Sequence, residues 1–246
     1  MISFFKKIRQ KLLTENKVTR YLLYALGEIL LVVIGILIAI NINDWNNRQT
    51  KIANEKVLIA SLIEELSNRE IKLKEIIQKS QKYADSELMV LSKFENEVKS
   101  FSQQEISDAF DYQYFFNDSP ILDEIIIKNS DVLVTKKHMM DDFRTLANDF
   151  GNLTITSRYL DDFFSSQITP FFITCGIIYE PISSSDLTID FKEIISAGYS
   201  KKQLQALIKF KINLNKIRSL AIDKALINTQ LTLEKLQNEK YPDILD

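Results

Sequence analysis

The sequence is poor in the residues that build most catalytic and metal sites. Its 246 residues include one histidine and one cysteine, so neither a histidine-based metal centre nor an internal disulfide can be assembled within the chain. His138 and Cys175 could form a nucleophilic pair if the fold joined them, but the apolar stretch around Cys175 favours an inert buried thiol. We find no catalytic signature, and we expect no enzyme activity, no catalytic residue, no cofactor and no metal.

Acidic pairs are the remaining candidates for a cation site. Asp141-Asp142 and Asp161-Asp162 would offer four carboxylates if antiparallel helices brought them together. Neighbours on a helix point about 100° apart, so each pair presents one carboxylate to a given face. A solvated surface is therefore the favoured interpretation of both pairs.

Glycine and proline, which most often interrupt helices, are also scarce, with five and four residues. An all-α fold is therefore expected. The formal net charge of −2, with no basic stripe beyond the N-terminal head, argues against nucleic acid as a partner.

One long apolar run stands out, YLLYALGEILLVVIGILIAINI, at residues 21–42. Its length of about 20 residues, at 1.5 Å each, crosses the hydrocarbon core of a bilayer. We predict a transmembrane helix that acts as an uncleaved signal anchor, with the lipid bilayer as its partner. A buried core helix and a cleaved signal peptide are the alternatives, but the run lacks a polar face and an A-x-A-like cleavage site.

Charged and aromatic residues around the run predict its orientation. Six basic residues precede it and three follow shortly after it, which favours a cytoplasmic N-terminus. The protein would then be a single-pass protein of the bacterial inner membrane with a periplasmic, or extracytoplasmic, C-terminal domain. Tyr21 and Tyr24 at one end and Trp45 at the other are typical interfacial anchors. Residues 1–20 form a basic juxtamembrane segment, either a helix lying on the membrane or a disordered tail.

Glu28 is the costly residue of the run, because a carboxylate in hydrocarbon must be protonated or paired. Gly35 and Ala39 lie within about 20° of Glu28 around a helix. Small residues let helices approach closely, so we predict that this face forms a homodimer or docks the span of another membrane protein. A proton- or ion-coupled role, or a partly hydrated position near the interface, are the alternatives.

Residues 43–246 are expected to form one helical extracytoplasmic domain. A long helix over 44–100 carries seven-residue apolar rows, which are Ile52, Ile59, Leu66 and Leu73, and Ile63, Ile77, Ala84, Leu91 and Val98. Short helices follow over 103–198. A return helix over 201–240 carries an inward stripe of Leu204, Leu207, Ile208, Leu214, Ile217, Ala221, Ala225 and Leu231. The helix over 44–100 is predicted to continue the span as one rod. The two long helices are predicted to pack along each other as an antiparallel bundle or coiled coil.

Local signals place the shorter elements. The predicted helix starts are Ser102-x-x-Glu105, Ser119-Pro120, Thr135 and Ser200-x-x-Gln203. The predicted ends are Asn129-Ser130, Gly151, Pro170 and Gly198. The apolar run FFITCGIIYEP, residues 171–181, is predicted to be buried; a re-entrant or partner-binding patch is the alternative.

Residues 1–48 resemble the N-terminus of a family of uncharacterised bacterial membrane proteins. The shared features are a basic FF/IR head, a YLLYA-GEI-LVVIGILIA span and an IN-WN exit, matched by Glu28, Gly35, Asn43, Trp45 and Asn46. Residues 122–134, LDEIIIKNSDVLV, are similar to a second family motif, with Lys128-Asn129-Ser130 in place of a glycine turn. The resemblance implies a single-span protein with a helical extracytoplasmic domain, classed as a domain of unknown function, and it implies no activity.

Two functions fit these observations. The first is a membrane-anchored helical interaction or oligomerisation module, acting as a homo-oligomer or with another membrane protein. The second is a sensor-like domain that binds a small molecule and acts through a membrane partner, because about 20 cytoplasmic residues leave no room for an output domain. No feature of the sequence identifies a ligand.

Overall fold

A computed structural model describes residues 18–96, 100–115, 117–128, 132–176 and 188–239 of the chain. Contacts divide the chain into two compact units, Met1–Asn54 and Glu55–Asp246. Most of the predicted basic segment 1–20 lies outside the described residues, as do the predicted helix end at Asn129-Ser130 and residues 177–181 of the second apolar run.

The described residues are almost entirely helical, which confirms the all-α prediction. Helix α1 spans Val18–Glu95, α2 spans Gln103–Phe110 and α3 spans Pro120–Lys128. A 3-10 turn at Lys137–Met139 leads into α4, Met140–Phe163; a π-helical turn, Phe164–Ile168, then leads into α5, Thr169–Thr174. Helix α6 spans Phe191–Ser196 and α7 spans Lys201–Asn238.

A small antiparallel sheet was not predicted. Strands β1, Ser100–Ser102, and β2, Thr188–Asp190, pair with Phe101 opposite Ile189. Each strand has only three residues, too few to show the alternating pattern by which a strand is recognised in sequence.

Two helix starts are confirmed in detail. Ser102 and Ser200 each accept a hydrogen bond from the backbone N–H three residues on, and the side chain of that third residue, Glu105 or Gln203, accepts from the serine N–H. These capping boxes satisfy backbone donors that the first turn of a helix leaves without partners.

The prediction of a helix end near Gly151 was wrong. Helix α4 passes through Gly151 without interruption, because a glycine inside a helix costs only about 1 kcal/mol and packing on both sides outweighs that cost. The helical chain also continues past Pro170, which sits at the start of α5 just after the π-helical turn. A proline is tolerated in the first turn of a helix because no intrahelical bond needs its N–H.

Within the second unit, α1 and α7 run antiparallel, as predicted. Glu87 of α1 accepts a hydrogen bond from Asn215 of α7, while Glu70 accepts one from Gln230, so residue numbers rise along one helix as they fall along the other. Helix α4 is a third long element, antiparallel to α7, since Asp142 pairs with Lys235 and Phe163 contacts Phe210. The segment between the two long helices therefore includes a 24-residue helix as well as short ones.

Two apolar clusters form the core of this unit. The first joins α1, α3, α4 and α7, and its members include Leu62, Leu66, Leu122, Phe150 and Ile222. The second joins the end of α1 to β1, α2, α5, α6 and the start of α7, and its members include Phe94, Phe110, Phe171, Ile194 and Leu204. A fully buried side chain of this size contributes about 1.5–3 kcal/mol by leaving water. The expected burial of the second apolar run is confirmed for Phe171 and Phe172, whereas Ile173 is exposed.

The seven-residue rows are only partly as predicted. On α1, Ile59, Leu66 and Leu73 are buried, but the second buried row is Leu62, Arg69, Ile76 and Val90, one position earlier than predicted. On α7, Leu204, Ile208 and Ala225 are buried, whereas Ile217 and Leu231 are about half exposed. Lys211 and Arg218 are buried on the inner face of α7. The predicted rows differ from the buried rows because the predictions counted only apolar residues as core positions, and Arg69, Lys211 and Arg218 occupy core positions as well.

Candidate functional site

The predicted membrane-helix face lies on an open surface of α1. Glu28, Gly35 and Ala39 are all exposed. Apart from the two neighbouring residues and the nearby backbone of α1 itself, no atom of the described residues lies within 4 Å of a Cβ built on Gly35. In the described part of the chain, one helix, α1, is long and apolar enough from Tyr24 onward to cross a membrane, and none of its apolar window is buried. This arrangement is compatible with a single-pass membrane protein.

The predicted interfacial anchors are only partly described. Tyr24 is half-buried, Trp45 is exposed, and the side chain of Tyr21 lies outside the described part of the chain. Their role in a membrane stays a prediction.

A second and unpredicted feature is a layer of buried polar side chains between the two apolar clusters. We call it the polar layer; it consists of Glu87 on α1, Ser157 on α4, and Lys211, Asn215 and Arg218 on α7. All but Asn215, which is half-buried, are almost completely shielded from solvent. Three long helices thus place polar groups at the same level of the core.

Glu87 and Lys211 form the central ion pair of the polar layer. Lys211 Nζ lies 2.9 Å from Glu87 Oε1, and both side chains are at most 2% exposed. The ammonium also donates to the carbonyl oxygens of Ala109, in the last turn of α2, at 2.8 Å, and of Asp111, just after α2, at 2.6 Å. Burial raises the pKa of Glu87 and lowers the pKa of Lys211, and the contact between them opposes both shifts.

Arg218 of α7 is bonded both to α4 and to the segment before α3. Its Nε donates to Ser157 Oγ at 3.2 Å, and its Nη2 donates to the carbonyl oxygen of Gln113 in the segment before α3. Burial lowers the pKa of the guanidinium to about 10, so the group is still charged near neutral pH. Among the described residues, Gln113 Oε1 is buried without a hydrogen-bond partner.

Two tyrosines border the polar layer. The Lys211 ammonium lies 5.8 Å from the centre of the Tyr83 ring. Burial, reinforced by the Asp111 carboxylate, raises the pKa of Tyr83 to about 12. Tyr112 donates to Asp161 Oδ1 at 2.6 Å, and burial together with that hydrogen bond raises the pKa of Tyr112.

Two carboxylates of α1 also accept hydrogen bonds from backbone N–H groups at distant helix starts. Glu55 is fully buried and accepts hydrogen bonds from the Thr135 N–H, the Thr135 hydroxyl and the Lys136 N–H at 2.7–3.1 Å. Thr135 itself therefore does not act as the predicted cap. Similarly, Glu65 accepts from the N–H groups of Ile121 and Leu122 in the first turn of α3, and burial raises its pKa.

Arg69 is the buried cation of the first cluster. Its guanidinium lies 5.2 Å from the centres of both the Phe115 and Phe150 rings, and it donates to Ser119 Oγ at 2.8 Å and to the Asp118 carbonyl oxygen. A cation placed over aromatic rings offsets part of the cost of burying a guanidinium. Ser119 precedes α3 as predicted, with its hydroxyl held by Arg69.

The histidine and the cysteine lie in different surroundings. His138 Nε2 is 2.9 Å from Glu239 Oε1, and the buried Lys136 ammonium is 2.7 Å from the other oxygen of that carboxylate. Cys175 packs partly against the second apolar cluster, and burial raises the pKa of its thiol. A raised thiol pKa makes Cys175 a weak nucleophile.

The acidic pairs do not converge. Both lie on α4, so Asp141-Asp142 and Asp161-Asp162 are about 30 Å apart along one helix. Asp142 pairs with Lys235, and Asp161 accepts from Tyr112. Within the described ranges, no group of three or more histidine, cysteine, aspartate or glutamate side chains is placed to hold a metal ion.

The polar layer was missed because charged residues were assigned to solvent. The sequence did hold a signal: the seven-residue row through Ile59, Leu66 and Leu73 reaches Glu87, and the row from Leu204 continues through Lys211 and Arg218 to Ala225. A row continued through its polar positions would have identified all three charges as buried.

Comparison with known proteins agrees with the resemblance seen in the sequence. No curated protein and no solved structure gives a significant match. The model of a family of unknown function (DUF6090) matches residues 28–135, less than half of the chain, and includes Glu28, Gly35, Trp45 and Glu87 but neither Lys211 nor Arg218. Over residues 28–135, this chain is therefore similar to a family of unknown function.

Proposed function

We propose that this protein is a single-pass inner-membrane protein whose helical extracytoplasmic domain serves as an interaction and oligomerisation module. The N-terminus lies in the cytoplasm and residues 21–42 cross the bilayer. The proposal rests on the apolar part of α1, which is exposed on all sides. An apolar run of this length needs lipid or other helices to cover it.

The polar layer supports a structural module. Its ion pair and its arginine bond to groups of the same chain, so they hold α1, α4 and α7 in one register. Buried polar groups at core positions of paired helices are known to fix alignment at some cost in stability. A domain with a fixed alignment presents a constant surface to a partner.

The topology can be tested with a protease-cleavable C-terminal tag in intact cells and in cells with a permeabilised outer membrane. We expect the chain in the membrane fraction and the tag cleaved only after permeabilisation. A tag protected until the inner membrane is broken, or a chain in the supernatant after ultracentrifugation, would contradict the proposal.

The span face can be tested by disulfide crosslinking in native membranes, with Cys175→Ser as the background. Ala39→Cys places a thiol on the Glu28 face, and Leu37→Cys places a matched thiol about 180° from Glu28 around α1. We expect dimers from the first variant and few from the second. Glu28→Leu should reduce the Ala39→Cys product; an undiminished, face-specific product would remove Glu28 from the interaction.

The sensor function is a second candidate, favoured by the polar groups in the middle of the helices and by the buried Gln113 oxygen without a partner among the described residues. A sensor should show a higher melting temperature with a member of a panel of amino acids and small carboxylates. The shift should be smaller in Arg218→Lys, which removes the bonds to Ser157 and Gln113. An unchanged melting temperature across the panel favours the interaction module.

A further inference from the structure

The first half of helix α7 and the segment before it contain no acidic residue. Residues 194–222 include six basic residues and neither aspartate nor glutamate, although acidic and basic residues are nearly equal in number over the whole chain. Lys211 and Arg218 are buried in the polar layer, whereas Lys202, Lys209 and Lys216 are exposed. These three lysines lie seven residues apart and therefore form one row along α7. The row is not evident in the sequence because its members are so far apart.

The row of lysines borders apolar side chains on the outer face of α7. Phe210, Ile217 and Leu220 are each between 52% and 72% exposed. Together with Asn213 they follow the alternating three- and four-residue spacing of a coiled-coil contact surface, and the three lysines occupy the positions that flank such a surface. We call this surface the lysine-flanked seam; it consists of Phe210, Asn213, Ile217 and Leu220 with Lys202, Lys209 and Lys216.

The three exposed lysines are not paired with acids of their own unit. Lys211 and Lys224 of the same helix pair with Glu87 and Asp149, whereas none of the three forms an ion pair with another residue that the structure describes. Their charges are therefore available to carboxylates from outside the chain.

We propose that the lysine-flanked seam binds an amphipathic helix of another protein, one that carries carboxylates at seven-residue intervals beside an apolar stripe. This inference rests on the proposed interaction function and names its surface and the chemistry of its partner. The choice of partner follows from charge complementarity: charges that flank the contact surface of two helices decide which helices pair.

A second copy of this chain does not supply those carboxylates. Two copies inserted in one membrane in the same direction would pair their α7 helices in parallel. The flanking positions opposite the lysines would then hold Leu207, Leu214 and Ala221, none of which can balance a charge. An anionic lipid surface would attract the lysines but has no seven-residue register to match theirs. The seam therefore fits a helix of a different protein.

The test uses the full chain held in phosphatidylcholine nanodiscs. It is titrated with two synthetic peptides of roughly three heptads, both with leucine at the contact positions. The acidic peptide carries glutamate at all flanking positions, and the basic peptide carries lysine there. We expect calorimetry to show binding of the acidic peptide alone, with an affinity that falls at least about tenfold between about 0.05 M and about 0.5 M salt.

Three outcomes would overturn the proposal. The first is no binding of the acidic peptide, and the second is equal binding of both peptides. The third is binding of phosphatidylglycerol vesicles without binding of the acidic peptide, which would show that the lysines recognise a lipid surface instead.

Charge reversal separates the seam from the overall charge of the chain. Lys209→Glu with Lys216→Glu should weaken binding of the acidic peptide about tenfold or more and allow the basic peptide to bind. This gain of binding also shows that the variant is folded. Lys72→Glu with Lys79→Glu, at two exposed lysines seven residues apart on α1, makes the same change in net charge and should leave binding of both peptides unchanged. Equal losses in the two double variants would contradict the seam.

Failure of this inference can be distinguished from failure of the function on which it rests. Chains found in the soluble fraction of cells would refute the proposed membrane function. Chains that stay in the membrane and crosslink through Ala39→Cys, but do not bind the acidic peptide in nanodiscs, would refute the lysine-flanked seam alone.

Discussion

The apolar run of α1 and the inner face of α7 reverse the usual relation between hydrophobicity and burial. Between Tyr24 and Ile42 the side chains are nearly all apolar, yet the structure buries none of the apolar window. Helix α7 is rich in charge, yet its inner face buries a lysine and an arginine completely. The composition of a segment therefore does not by itself determine whether its side chains are buried. Burial depends on which groups of the fold pack against the segment.

The two regions also place a charged side chain in different surroundings. Glu28 sits on an exposed face of α1, and in lipid its charge would need protonation or a partner. Lys211 is surrounded by one carboxylate and two carbonyl oxygens of its own unit. A buried charge with a full set of partners is tolerated in the core, and removing one partner leaves the other charge without compensation.

The largest effect should follow from that removal. Glu87→Ala leaves the Lys211 ammonium buried without its carboxylate, and we expect the unfolding free energy to fall by about 3–5 kcal/mol. Urea unfolding of the full chain in detergent micelles, followed by circular dichroism, measures the change. Glu75→Ala, at an exposed acid of the same helix, is the control and should stay within about 0.5 kcal/mol.

The double variant Glu87→Leu with Lys211→Met tests whether the ion pair itself or the cost of an unpaired buried charge accounts for the loss. It replaces both charges by apolar groups and should recover most of the lost stability, since a well-packed apolar pair can match a buried ion pair. A loss as large as that of Glu87→Ala alone would show that the carbonyl bonds of Lys211, rather than the ion pair, hold this region together.

A matched pair of isoleucines compares burial in the two regions. Ile222 on α7 is 1% exposed, and Ile36 in the apolar run is 55% exposed. Ile222→Ala should lower the unfolding free energy of the domain by about 2–5 kcal/mol, because it leaves a cavity in the first cluster. Ile36→Ala should change that free energy by less than about 0.5 kcal/mol in the same assay. Equal losses would remove the contrast between the two regions.

The smallest effect concerns the pH dependence at the border of the polar layer. The pKa of Tyr83 is raised to about 12 in the folded chain, from its ordinary value of 10. A raised folded-state pKa means that the stabilisation is complete below pH 10 and is lost as the pH rises from 10 to 12. Tyr83 is only half-buried, so solvent screening limits the loss to no more than about 1 kcal/mol.

Tyrosinate absorbance of the native chain, titrated with alkali, measures this shift. Tyr83→Phe should remove one late-titrating tyrosine and the part of the stability loss that belongs to it. Tyr114→Phe, at an exposed tyrosine, is the control and should leave the number of late-titrating tyrosines unchanged. Loss of an early-titrating tyrosine in Tyr83→Phe would contradict the assignment.

Local signals were predictable from sequence, and contacts across the chain were not. The capping boxes at Ser102 and Ser200 each depend on four consecutive residues, and both are present. Thr135 carried an equally plausible capping signal, but Glu55, 80 residues away, accepts the bonds at that site. Gly151 was predicted to end a helix, but α4 continues through it because packing on both sides outweighs the cost of the glycine. The pairing of β1 with β2 also joins segments far apart in sequence.

The amino-acid sequence alone determined the all-helical class, the long apolar run and the capped helix starts, because these depend on neighbours within one element. Only the tertiary structure decided that Glu87, Lys211 and Arg218 are buried, because their partners come from distant parts of the chain: Lys211 bonds Ala109 across 102 positions, and Asn215 bonds Glu87 across 128. A charged side chain is stable in a core only when such distant groups desolvate it and satisfy it together.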